Sequence, residues 1–129
     1  MTHDAATPLA AASRDNHLTL RRVERQQRLV EILGSAGLPI SSASLATEVG
    51  VSRRTVERDL ARLRDSGVPI DTLPGTHGGS RLPSNRQPRQ VSLTFEEIAA
   101  VVASLAALGP TATTSSSSAM RALLRAIEP

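Results

Sequence analysis

The chain has 129 residues, with 15 Lys+Arg against 12 Asp+Glu and a formal charge of +3, a length that suits one ordinary domain or a small domain with an appendage. It contains no Cys, which excludes a disulfide framework, a zinc finger and a thiol nucleophile. One Phe with no Tyr or Trp argues against proteins that stack single-stranded bases on aromatic rings. Every basic residue is Arg, whose planar fork of donors suits phosphates and guanine edges. No apolar run approaches the ~20 residues of a membrane span. The N-terminus lacks the basic and apolar regions of a secretory signal. A soluble, cytoplasmic protein that contacts no membrane is therefore expected.

Residues 1–17 are small and polar and read as a disordered N-terminal tail. Over 19–36, Leu20, Val23, Val30 and Leu33, with Leu29, Ile32 and Ala36, recur at helical spacing. Arg21, Arg22, Glu24, Arg25 and Arg28 fill much of the other face, and Gly37 and Pro39 end this helix. Ser42 is the expected cap of a short second helix with Leu45, Ala46 and Val49 on its apolar face. Gly50 stops that helix at a tight turn. Ser52 then caps a third helix, Arg53 to about Ser66, with Val56, Leu60 and Leu63 on one side and Gly67 beyond its end. Val68, Ile70 and Thr72 suggest a strand, Leu73 to Gly79 a turn, and Ser80 to Leu82 a returning strand. Residues 84–90 read as a linker. Thr94 and Glu97 have capping-box spacing ahead of an apolar helix over 95–108. The Thr/Ser run after Gly109-Pro110 reads as a loop, and a last helix is expected over about 118–128.

The informative constellation is helix, short turn and helix over 42–66, preceded by a helix and followed by a hairpin. Arg54 and Arg58 lie one turn apart and nearly opposite Val56, Leu60 and Leu63, and Arg62 extends their stripe. A helix buried on one face and displaying Arg on the other is what reading a major groove requires. Ser52, Arg53 and Thr55 sit in the first turn, where phosphate oxygens are favoured. The competing reading takes Arg53 with Glu57, and Asp59 with Arg62, as ordinary surface ion pairs. The three-helix context favours DNA.

On the stretches RQQRLVEIL, SASLATEVGVSRRTVERDLARLRDSGVPI and GGSRL, residues 20–83 resemble the type 11 helix-turn-helix domain of DeoR-like winged-helix regulators. The resemblance implies that Ser52, Arg53, Arg54, Thr55 and Arg58 face DNA and that residues 68–82 form the wing. Ser80 stands where such proteins often carry an aromatic residue after paired glycines, so the wing lacks that packing group. Arg81 is a candidate phosphate or minor-groove contact. The stretches VSLTFEEIAAVVASLAAL and AMRALLRAIEP resemble the helices that follow the winged helix in regulators with a WYL effector domain. That domain is absent from these residues, so the resemblance implies the DNA-binding half of such a regulator.

The expected architecture is mainly α: a winged helix-turn-helix over 18–83, with three helices and a two-stranded wing, then the linker and a helical hairpin over 91–129. That hairpin exposes apolar stripes, which packing on the winged helix, a homodimer, or a heterodimer with a longer relative would cover. The expected function is sequence-specific binding of double-stranded DNA in transcription regulation, at the bacterial nucleoid. The alternatives are a protein–protein interaction module and a non-functional remnant of a longer, effector-responsive regulator. No catalytic constellation, cofactor site or metal site stands out, and His3, His17 and His77 are scattered, so an enzyme is not expected.

Overall fold

The computed structural model describes residues 8–83, 87–108 and 113–129. Within them lie helices α1 (Pro8–Ala36), α2 (Ser42–Val49) and α3 (Arg53–Asp65), strands β1 (Asp71–Leu73) and β2 (Gly79–Arg81), and helices α4 (Phe95–Ala107) and α5 (Thr114–Ala126). The result is a winged helix-turn-helix followed by a helical hairpin.

The first helix starts earlier than its apolar pattern suggests. Residues 8–17, expected as tail, are its opening turns, while residues 1–7 lie outside the described residues. Pro8 suits the first helical position, where its missing N–H has no partner to lose. The Ala-rich stretch behind it has high helix propensity. Leu9 and Leu18 are 83% and 57% exposed, so this part is helical without an apolar face to betray it. Gly37, at φ 71°, follows the helix end.

Three helices enclose one core. Leu29 and Leu33 of α1, Leu45 and Ala46 of α2, Val56 and Leu60 of α3, and Ile70 just ahead of β1 form its buried cluster. Each large aliphatic there contributes about 1.5–3 kcal/mol by leaving water. The turn between α2 and α3 rests on Gly50, at φ 73°, whose N–H closes onto the Ala46 carbonyl. The cap of α2 is Ser41 rather than Ser42: the Ser41 hydroxyl accepts from the Ser44 N–H at 3.1 Å, and Ser42 is the first helical residue. Adjacent serines make the two positions equivalent in sequence, and the extended backbone at Ser41 decides between them.

The wing pairs Asp71 with Arg81, Thr72 with Ser80 and Leu73 with Gly79, antiparallel. Both strands lie slightly off their expected limits, because Val68 and Ile70 serve the core rather than the ladder. A third segment joins them. Ile40, between α1 and α2, exchanges both backbone hydrogen bonds with Ser80 at 2.8 Å. Gly79 makes that approach possible, since a Cβ there would meet the Ile40 carbonyl oxygen at 2.3 Å. Ser80, in the place of an aromatic, is only 4% exposed, and its backbone ties the wing to the helices.

Residues 87–90 of the expected linker are exposed and carry no regular structure. The capping box of α4 is present, with Thr94 Oγ1 accepting from the Glu97 N–H at 3.1 Å and Glu97 Oε1 from the Thr94 N–H at 2.8 Å. Helix α5 corrects the expected loop. Thr113 caps it, Ser116 returns the bond, and residues 114–117 are already helical. Ser has modest helix propensity but is well suited to the end of a helix, where hydroxyls bind free backbone N–H groups. Residues 109–112, including Gly109 and Pro110, lie outside the described residues. No described helix is long and apolar enough to cross a membrane.

Candidate nucleic-acid interface

Helix α3 presents two chemically distinct faces. Val56 and Leu60 point into the core, with Leu63 packed beside them. Arg54 and Arg58 are exposed on the opposite side, and no acid among the described residues forms an ion pair with either. The helix starts at Ser52, whose hydroxyl accepts from the Thr55 N–H at 3.1 Å and lies 3.0 Å from Thr55 Oγ1. Both hydroxyls therefore hold the first turn in shape beside whatever else they contact. Arg53 lies 3.6 Å from exposed Glu57, a surface pair of small energetic consequence.

Asp59 is the residue that fixes α3 in place. It is fully buried, and its carboxylate accepts from Arg25 Nε and, at 3.2 Å, from Arg25 Nη2 and Gln26 Nε2. Arg62 Nη1 stands 3.8 Å from Asp59 Oδ1, so this candidate contact leans towards a neighbour on its own helix. The surface-pair reading thus fails for Asp59, whose principal partner comes from α1. A buried carboxylate held by a forked guanidinium and an amide orients the two helices, and losing one partner is costly. Helical periodicity alone places Arg25 on the solvated face. The available signal was Asp59 itself, an acid three residues after Val56 on the inward side of the helix.

The wing contributes Arg81, whose Nη2 lies 3.3 Å from Asp71 Oδ2 directly across the strand pair. Its Nε is buried without a hydrogen-bond partner. Arg64 Nη2 donates to Thr72 Oγ1 at 3.0 Å and so braces β1 against the end of α3. The structure brings Arg53, Arg54, Thr55, Arg58 and Arg62 onto α3 with Ser52 as its cap, and sets Arg81 on the adjoining hairpin. His77 is exposed in the turn between the strands.

This arrangement is that of a winged helix-turn-helix, and residues 25–79 match the family model described as an HTH domain. Over 94 residues the chain is 35% identical to the "Probable transcription repressor NiaR" of Thermotoga maritima, an alignment covering 67% of this chain. It covers 52% of that relative, so the chain spans about half the relative's length. Neither likeness is to an enzyme.

Proposed function

We propose that residues 18–83 bind double-stranded DNA in a sequence-specific manner, with α3 in the major groove, and that the chain regulates transcription from the nucleoid. The observation that carries this reading is the pair Arg54 and Arg58, exposed one turn apart and free of acidic partners on the face opposite the core. Each can offer two parallel hydrogen bonds to guanine O6 and N7. Ser52, Arg53, Thr55, Arg62 and, from the wing, Arg81 are proposed as phosphate and groove contacts. The name of the Thermotoga relative supports repression, by occupying DNA that polymerase would use. The interaction-module reading is weakened by Asp59, since one of the acids on α3 that could repel DNA is buried against α1.

The stretch GVSRRTVERDLARLRDSGVPI supports a place among DeoR-like regulators, and residues 91–108 and 119–129 support kinship with WYL-domain regulators. The hairpin over 91–129 is proposed as a dimerisation element, because Phe95, Val101 and Leu124 are 62%, 41% and 42% exposed on it. A dimer would double the contacts across two half-sites. Light scattering should give twice the chain mass, and V101D should reduce it to one chain. A monomeric wild type would end the dimer proposal.

DNA binding is tested by titrating the protein against its own upstream DNA and against random DNA at several salt concentrations. Tighter binding to the upstream DNA with a steep salt slope is expected, because neutralised phosphates release counterions. Arg54→Ala and Arg58→Ala should each cost about 1–3 kcal/mol on specific DNA and much less on random DNA. Equal losses on both would make these residues phosphate contacts only.

A further inference from the structure

A cleft of about 360 Å³ lies where α1 meets the end of α3 and the start of α5. Its apolar walls are Val23, Val30 and Leu63, and its polar lining includes Gln26, Gln27 and Glu31. Gln27 Oε1 is buried and has no hydrogen-bond partner. An unpaired buried acceptor is expensive, and a bound donor would relieve it if the amide turned its oxygen towards the cleft. Gln27 and Glu31 are one turn apart on α1, so an uncharged acceptor and a carboxylate share one side of the cleft.

The backbone N–H groups of Thr113, Ser115 and Ser116 at the rim are already used. The N–H groups of Thr113 and Ser116 close the capping box of α5, at 3.0 and 3.1 Å. The Ser115 N–H reaches Glu31 Oε1 at 3.3 Å. An anion would therefore find no spare backbone donor here and would face a carboxylate. A molecule that brings its own N–H groups and positive charge would meet the acid directly, and the unpaired oxygen once the Gln27 amide turns over to face the cleft.

We propose that this cleft is a binding site for a small organic cation, with two or more N–H donors on a flat or compact apolar body, and that its occupation alters DNA binding. The regulatory half of this proposal rests on the DNA-binding function proposed above. The coupling route is short. Gln26, in the cleft wall, donates to Asp59 of α3, and Leu63 of the same helix forms another wall. An occupant thus touches both the helix that would read DNA and one of the groups that hold it.

The test uses the whole chain, 15N-labelled, titrated with benzamidine and in parallel with benzoate, a flat anion of similar size, at matched ionic strength. Saturable shifts are expected with benzamidine at the Gln27 side-chain amide, Leu63 and Ser115, and not with benzoate. Gln27→Met and Glu31→Gln should each weaken benzamidine roughly tenfold, or about 1.4 kcal/mol, with helical circular dichroism retained. Absence of saturable shifts, equal response to benzoate, or indifference to both substitutions would overturn the site. In a second arm, benzamidine just sufficient to saturate the wild type should change its DNA affinity by at least roughly threefold, about 0.65 kcal/mol, and change that of Glu31→Gln less at the same concentration. Binding in the cleft with unaltered DNA affinity would overturn the coupling alone. A chain that binds benzamidine but no DNA would overturn the proposed function and leave the cation site standing.

Discussion

Helices α3 and α4 are each 13 residues long, yet they meet opposite surroundings. The third helix is rich in Arg and still buries Val56, Asp59 and Leu60 completely or nearly so. The fourth is mostly Ala, Val, Leu and Ile, and only Ile98 is buried. Apolar content thus does not determine burial. What matters is whether the apolar residues form a stripe facing elements that can close over it. Helix α3 has α1 and α2 packed on it, with Ile70 ahead of the wing in the same core, while α4 packs chiefly on α5. The winged helix should therefore behave as one cooperative unit and the hairpin as a weaker, local one.

The sharpest way to break this contrast is Asp59→Ala. It strands Arg25, whose side chain is 20% exposed, against the core and should cost about 3–5 kcal/mol in denaturant-induced unfolding. A loss below about 1 kcal/mol, the scale of surface pairs, would mean that the carboxylate does not organise the helices. Gly79→Ala comes next. At φ 144°, with Ile40 in the way, the substitution should destabilise the winged helix by about 1–3 kcal/mol. Backbone exchange at Ile40 and Ser80 should quicken most.

On the other side of the comparison, Thr94→Ala removes the cap of α4 and should cost about 1 kcal/mol. Hydrogen exchange should show the loss in α4 while α1 to α3 keep their protection. If all helices loosened together, the hairpin would belong to the same cooperative unit. The smallest effect is one of pH. Glu97 is held below its ordinary value of 4.5, chiefly by the backbone N–H of Thr94 and then by its side chain. Its contribution is therefore complete above that ordinary value and fades as pH falls through the lowered one. Protection factors in the first turn of α4, taken against the intrinsic exchange rate at each pH, should fall in acid, and Glu97→Gln should flatten that dependence.

Features carried by neighbours in sequence were legible without coordinates. The faces of α2 and α3, the Gly50 turn, the Ser52 cap and the Thr94–Glu97 box all depend on residues within a few positions of one another. Arg25 and Asp59 lie 34 positions apart, so periodicity alone placed the arginine in solvent. The bridge between Ile40 and Ser80 is not legible for the same reason, since neither short segment advertises a partner. The start of α1 and the serines opening α5 were missed differently. Neither carries an apolar stripe, and their helical state comes from Pro8, alanines and hydroxyl caps rather than from burial. The exposed Arg face of α3 was readable because Arg54 and Arg58 stand opposite a complete apolar stripe. The anchoring of that face from α1 was not.

The backbone bridge from Ile40 to Ser80 also bears on how the domain assembles. It closes a loop that contains α2, α3 and the whole first strand. Closing so long a loop costs entropy that only a preformed helical core can offset, so the bridge belongs to the late part of folding. Once made, it works as a clasp. The wing cannot peel away by fraying from its tip, because its second strand is gripped from the far side by the segment that leads into α2. Slow release of these two amides, together with the core of α3, would be the signature of a domain that opens as a whole.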